Sequence, residues 1–121
     1  MNERIESFHQ AIKRLEEALA ESETSLNRDA SIQRFEFTVE LAWKSIQKFL
    51  AAQQIICQSP KSCFQEAFQF GLIEDDEKWI LMMDDRNLTV HTYNQELAKE
   101  IYNRLSGYIP LLNALYVKLS S

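Results

Sequence analysis

Apolar residues recur at steps of three and four along most of the chain, the spacing that places side chains on one face of an α-helix. The first run predicts an amphipathic helix of about five turns that ends near Glu23, followed by a polar connection that reaches Asp29. Its apolar face consists of Ile5, Phe8, Ile12, Leu15 and Leu19.

A second and longer run predicts a helix over residues 29–54. Its main apolar stripe consists of Ile32, Phe35, Val39, Ala42, Ile46 and Phe49. Phe37, Leu41, Trp43 and Leu50 fall outside that stripe. A helix that is apolar on more than one face is central in its fold or forms an interface. One small chain can hardly cover so much apolar surface, so we expect a homodimer.

Local start and stop signals delimit the next two helices. Ser59 before Pro60 reads as an N-cap followed by proline at the first helical position, and Gly71 closes this short helix. Its expected inner face is Phe64, Ala67 and Phe68. Acidic residues at 74–76 favour a following helix start, because the helix dipole attracts negative charge there. That helix carries Trp79, Ile80, Met82 and Met83 and is expected to end near Arg86 or Asn87.

The last helix is expected to begin with Thr92 or Asn94 as its cap, and Thr92 with Gln95 makes a capping box. Its apolar residues are Leu97, Ile101, Leu105, Ile109, Leu112 and Leu115. Gly107 and Pro110 predict a kink midway. The chain is therefore predicted to form a single all-α domain over residues 1–121, an up-and-down bundle of four long helices and one short helix. The small number of glycines and prolines, two of each, also favours long helices over strands.

Composition narrows the classes of function. A formal net charge of −5 does not fit an indiscriminate nucleic-acid binder, so any contact with RNA must be local or shared. No apolar run approaches the roughly 18 residues of a membrane span, and we expect a cytoplasmic protein without a membrane partner. Cys57 and Cys63 fit no metal pattern and are expected to be free, buried thiols. With only two histidines besides, we expect no metal site and no cofactor.

The segment of residues 84–93 contains the residues best suited to chemistry. Arg86 and His91 are five positions apart, which separates them by about 140° on a helix and puts them on opposite faces of a strand. Only a bend between two helices can bring them together, and Asn87 and Thr89 favour such a bend. His91 and Tyr93, two apart near a helix start, could then face one cleft.

These residue types suit work on a phosphodiester. Arginine offers a permanent charge and a fork that fits phosphate oxygens. Histidine can exchange a proton with a ribose hydroxyl or a leaving group near neutral pH. Spacing alone, however, favours a structural interpretation, in which Arg86 pairs with Asp84 or Asp85 and His91 caps a helix.

Other polar residues are weaker candidates for a site. His9 lies on the polar side of the first predicted helix, where a solvated side chain is expected. Glu36 and Glu40 share a helix face and could imitate a pair of catalytic carboxylates. A polar seam or a contact between Glu40 and Lys44 is the better interpretation.

Three segments together resemble the HepT-type proteins of the HEPN fold. Residues 86–93 look like the Arg-x4-His-x-Tyr signature of that family. Residues 32–44 resemble its second-helix block, and residues 59–73 resemble its third-helix block. The similarity covers essentially the whole chain in the right order.

The resemblance implies a helical dimer in which two Arg-x4-His motifs meet near the dimer axis. It also implies a partner, a minimal nucleotidyltransferase that acts as an MntA-type antitoxin. In this family picture Arg86 and His91 form a metal-independent ribonuclease site for RNA, and Tyr93 receives AMP from the partner. We expect Asn87 and Asp85 to support that site. The alternative is a non-catalytic substrate-binding subunit of the transferase, which would use the same cluster of residues.

Overall fold

The computed structural model describes residues 2–121 and contains five α-helices joined by short connections. The helices are α1 (Glu3–Ala20), α2 (Ser25–Ala52), α3 (Pro60–Phe70), α4 (Asp76–Leu88) and α5 (Gln95–Leu119). A short 3₁₀ turn at Thr89–His91 follows α4. No strand occurs among the described residues, and the predicted all-helical bundle is confirmed.

Each helix begins at a polar side chain that accepts a hydrogen bond from a backbone N–H of its first turn. This is the arrangement that satisfies donors left free at a helix start. The five capping residues are Asn2, Thr24, Ser59, Asp75 and Asn94. Because Thr24 caps α2, that helix starts four residues earlier than predicted, and α1 ends at Ala20 instead of Glu23.

The predicted boundaries of α3 are confirmed, whereas the predicted capping box of α5 is wrong. Ser59 caps α3, and Gly71 ends it in the left-handed conformation with φ of 94°. At the start of α5, the side chain of Asn94 accepts from the N–H groups of Glu96 and Leu97. The Thr92 hydroxyl instead donates to the carbonyl of Thr89, at 2.8 Å, and so takes part in the preceding turn.

Helix α2 lies at the centre of the bundle and packs against all four other helices. Its buried apolar stripe is Ile32, Phe35, Val39, Ala42, Ile46 and Leu50. Leu50 rather than Phe49 completes the stripe, since Phe49 is only partly buried. In α3, Phe64 and Ala67 are buried as predicted, but Phe68 is exposed. Phe37, on the other side of α2, keeps 53% of its surface exposed.

Helix α5 runs without interruption from Gln95 to Leu119, although Pro110 lies inside it. Proline lacks an N–H, so it cannot donate to the carbonyl one turn earlier, and the predicted kink at this point stays a prediction. The buried face of α5 comprises Ala98, Ile101, Leu105, Leu112, Leu115 and Leu119. None of the helices in residues 2–121 is long and apolar enough to cross a membrane.

The two cysteines form a disulfide, so the prediction of free thiols is wrong. Cys57 and Cys63 are both buried, with their Cα atoms 5.1 Å apart, a separation that suits a disulfide. The reason is the position of α3. Because that helix begins at Pro60, Cys63 lies one turn inside it and faces back across the connection toward Cys57.

Candidate functional site

Arg86 lies in the last turn of α4 and makes an ion pair with α2. Its Nη2 atom is 3.1 Å from Oε1 of Glu40. The predicted partners, Asp84 and Asp85, were therefore wrong. Successive side chains on a helix point about 100° apart, so neighbours in sequence face different helices. Arg86 faces α2, whereas Asp85 faces α5.

Glu40 is held in place by two further groups of its own helix. Its Oε2 atom accepts a hydrogen bond from Nε1 of Trp43 at 3.3 Å and lies 3.8 Å from Nζ of Lys44. The predicted contact between Glu40 and Lys44 is confirmed. Within the described residues, Nε of Arg86 is buried and has no hydrogen-bond partner. The ion pair with Glu40 is therefore the contact that fixes the Arg86 side chain.

Asp85 is buried and joins α4 to α5. Its carboxylate accepts hydrogen bonds from Nε and Nη2 of Arg104, at 2.8 and 2.6 Å, and from the hydroxyl of Tyr108. Burial raises the pKa of the Tyr108 phenol well above its usual value, and the hydrogen bond with Asp85 is the second-largest cause of this increase. The hydrogen bond with Asp85 likewise raises the pKa of the Arg104 guanidinium. Asp85 thus links the end of α4, next to Arg86, to α5.

The chain turns sharply between Arg86 and α5, as the sequence predicted. The Thr89 hydroxyl donates to the Arg86 carbonyl at 2.6 Å, and the N–H of Asn94 donates to the His91 carbonyl at 3.0 Å. These bonds replace the helical bonds that α4 would otherwise continue. Asn87 is exposed near the end of α4, where it lines a groove with Asp84, Ser59 and Lys61.

His91 and Tyr93 lie side by side and are both exposed at this turn. The Tyr93 hydroxyl is 3.5 Å from Nδ1 of His91, and the two rings meet edge to face with centroids 6.0 Å apart. Tyr93 exposes 81% of its surface. An imidazole and a phenol in this arrangement can both exchange protons with a molecule that arrives from solvent.

The side chains of Arg86 and His91 have different contact partners within the one chain. Among the described residues, no hydrogen bond links their side chains, because Arg86 is turned toward Glu40 while His91 is turned toward Tyr93.

His9, the other histidine considered as a candidate, makes a structural contact. His9 is half-buried and stacks on Tyr116, with ring centroids 4.0 Å apart, so the prediction of a solvated side chain is wrong. In the part of the chain that the structure describes, no cluster of three or more His, Cys, Asp or Glu residues could hold a metal ion.

Two pairings at the site could not be inferred from neighbouring residues. Glu40 lies 46 positions before Arg86, and Arg104 lies 19 positions after Asp85. The sequence offered only the type and position of each partner. Glu40 is a carboxylate outside the buried stripe of α2, and Arg104 is a basic residue four positions before Tyr108 on α5. Neither signal names the partner, since that depends on how the helices pack.

The fold and the site together define a small helical-bundle protein with a polar site at the α4–α5 turn. Residues 3–121 match the family model described as nucleotidyltransferase substrate binding protein like. The chain belongs to this family.

Two solved structures closely resemble the fold. A protein from Thermus thermophilus superposes with a TM-score of 0.89 at 37% identity, over 94% of this chain and 99% of that one. A protein from Haemophilus influenzae superposes with a TM-score of 0.88 at 28% identity, over 97% and 99%. The latter structure is described as revealing the fold of a substrate-binding domain of a nucleotidyltransferase.

A curated relative supports the resemblance to HepT-type proteins. The probable ribonuclease HepT of Haemophilus influenzae is 37% identical over 84 residues, which cover 65% of this chain. The match spans 58% of that relative's own length. With the family match and the two structures, this relative confirms the HepT-type resemblance inferred from sequence.

Proposed function

We propose that this chain is a HepT-type ribonuclease subunit that cuts RNA without a metal ion and is controlled by a minimal nucleotidyltransferase. The observation that carries the proposal is the exposed His91–Tyr93 pair. In sequence it comes shortly after Arg86, which is ion-paired with Glu40. The similarity to a relative named as a probable ribonuclease supports the same conclusion.

In the proposed reaction, His91 removes the proton from a ribose 2′-hydroxyl. The 2′-oxygen attacks the adjacent phosphorus and the bond from phosphorus to the 5′-oxygen breaks. That oxygen takes up a proton from solvent, to which His91 later releases the proton that it removed. The products are a 2′,3′-cyclic phosphate and a 5′-hydroxyl end. Arg86 stabilises the additional negative charge on the phosphate oxygens during attack.

The proposed active form is a homodimer in which the site of one copy faces that of the other. Arg86 and His91 of a single chain are turned toward different neighbours, so two copies can supply an arginine and a histidine to one phosphate. The half-exposed Phe37 on the second face of α2 supports an interface, because a large apolar side chain gains from being covered.

Control by the transferase is proposed to act through Tyr93. The phenolic oxygen attacks the α-phosphorus of ATP bound by the partner, pyrophosphate leaves, and the phenolic proton passes to solvent. The exposure of Tyr93 makes it accessible to a partner enzyme. AMP attached there would place a charged, bulky group beside His91 and keep RNA away from the imidazole.

A second candidate function is a non-catalytic subunit that binds substrate for the transferase. It is favoured by the family description and by the Haemophilus structure described as a substrate-binding domain. The two functions differ in one measurable respect, because only the first predicts cleavage by the purified chain alone.

The test uses a labelled RNA incubated with purified protein in the presence of a chelator. The ribonuclease proposal predicts cleavage that survives chelation and leaves 2′,3′-cyclic phosphate ends. A substrate with 2′-deoxyribose at the cut position should resist, because the nucleophile is missing. Equal trace cleavage by the wild type and by His91→Ala would assign the activity to a contaminant and leave the non-catalytic function.

A further inference from the structure

We propose that Glu40 is a positioning residue for Arg86, and this inference rests on the proposed ribonuclease function. The ion pair between Glu40 Oε1 and Arg86 Nη2, at 3.1 Å, joins the central helix α2 to the last turn of α4. Glu40 therefore acts through the arginine and is not itself expected to touch RNA.

Glu40 can serve this purpose because its own carboxylate is fixed. Trp43 donates to one of its oxygens, and Lys44 lies close to the same oxygen. All three residues belong to α2, which packs against every other helix of the bundle. The carboxylate thus gives Arg86 a rigid point of attachment.

Arg86 depends on Glu40 because its side chain has no other fixed partner. Nε is buried without a hydrogen bond, and no other ion pair to Arg86 occurs within the described residues. About a quarter of the side chain, 27%, remains exposed. Loss of Glu40 would leave the guanidinium free to adopt other rotamers, so its fork would no longer point in one direction.

The negative charge of Glu40 should weaken the electrostatic attraction between the site and RNA, although its carboxylate positions Arg86. A carboxylate beside a phosphate-binding arginine reduces the local positive charge, so its removal should favour the initial binding of RNA. A positioning role therefore predicts that kcat and KM respond differently. Removal of the acceptor lowers kcat, whereas KM stays the same or falls.

The kinetic test compares Glu40→Ala with Glu40→Gln and with Glu16→Ala, an exposed glutamate on α1. Glu40→Ala should lower kcat by about 10²-fold, the loss that misplacement of a reacting group can cause. Glutamine keeps an oxygen that can accept from Arg86, so Glu40→Gln should retain most of kcat. Glu16→Ala should match the wild type. An autoinhibitory Glu40 would instead give faster cleavage in both Glu40 variants, and that result would overturn the proposal.

A second measurement decides the proposal without depending on cleavage. The ¹⁵N relaxation of the Arg86 Nε–H group, assigned by its loss in Arg86→Lys, reports the order of the guanidinium. It should be ordered in the wild type and in Glu40→Gln and disordered in Glu40→Ala. Glu40→Met, which has similar length and lacks the acceptor, replaces Glu40→Ala if circular dichroism shows that the alanine variant is unfolded.

The two measurements distinguish a failure of the proposed ribonuclease function from a failure of the positioning role. A wild type that cuts no RNA would overturn the proposed function, while the relaxation of Arg86 would still decide whether Glu40 orders it. A guanidinium that stays ordered without the Glu40 acceptor would overturn the positioning role.

Discussion

The hydroxyl of Tyr93 lies 3.5 Å from Nδ1 of His91, with both side chains exposed at the turn between α4 and α5. A group added to the phenol in this conformation would lie next to the imidazole. This relationship joins the two halves of the proposed function, since one residue is the proposed target of the transferase and the other is the proposed acid–base group.

Tyr93→Phe should abolish AMP transfer, because the exposed phenolic oxygen is the proposed nucleophile. The measurement is mass spectrometry of the chain after incubation with the transferase, ATP and Mg²⁺. The wild type should gain AMP on the peptide that contains Tyr93. Tyr102→Phe, on α5, is the matched control and should be modified like the wild type. Unchanged modification of Tyr93→Phe would point to another hydroxyl.

His91→Ala should lower RNA cleavage by roughly 10²–10⁴-fold, because proton transfer by a positioned side chain contributes that much. Arg86→Lys should be partly impaired, since a point charge cannot reproduce a guanidinium fork. His9→Ala is the control for loss of a histidine away from the site, and it should keep its activity at temperatures where it stays folded. Cleavage rates on one RNA, compared at equal folded concentration, measure all three effects.

Sedimentation equilibrium at micromolar concentration should show a species of twice the mass of one chain. Phe37→Ser should weaken this dimer, since the substitution removes a half-exposed apolar side chain from the second face of α2. Val117→Ser changes a similarly exposed residue on α5 and should leave the dimer intact. A wild-type monomer would contradict both the dimer and a site shared between two copies.

Asp85→Ala should lower the free energy of unfolding by about 1.5–3 kcal/mol, because hydrogen bonds to a buried charged group are lost. Asp84→Ala provides the matched control. Asp84 is the exposed neighbour of Asp85, and its removal should change stability by less than about 0.5 kcal/mol. Urea unfolding of the two variants measures the difference, and equal stabilities would mean that the link from Asp85 to α5 contributes little.

Stability should fall at alkaline pH in part through Tyr108. Its pKa is raised in the folded state, mainly by burial, so the folded chain keeps this proton where the unfolded chain loses it. The contribution is fully present below about pH 10, the ordinary tyrosine pKa, and is lost progressively above it. Urea unfolding between about pH 9 and about pH 11 should therefore show a shallower decline for Tyr108→Phe than for the wild type. Parallel declines would contradict this role.

The helices could be predicted from the sequence because their signals are local. Ser59, Pro60 and Gly71 delimit α3 through interactions within a few residues, and the three-four spacing identifies the buried stripe of α2. Errors arose where two local signals competed. Thr92 and Asn94 can both cap a helix, and only the closure of the 3₁₀ turn by Thr92 leaves Asn94 as the cap.

The partners of the candidate site residues could not be predicted, because they come from distant parts of the chain. The sequence predicted Arg86, His91 and Tyr93 as one cluster. His91 and Tyr93 contact each other within the chain, and Arg86 pairs with Glu40. The pairing of Arg86 with Glu40 and the stacking of His9 on Tyr116 depend on how α1, α2, α4 and α5 pack. Spacing within a single segment carries no information about that packing.

Adjacent residues at the end of α4 are bound to different helices, Asp85 to α5 and Arg86 to α2. Fraying of this helix end would have to break both links at once, together with the turn that Thr89 closes. The backbone amides at residues 85–89 should therefore exchange with deuterium only when much of the bundle opens, unlike those of an ordinary helix end. Exchange at this turn would then report the integrity of the whole bundle, and a substitution in the α2–α5 interface could change it from a distance.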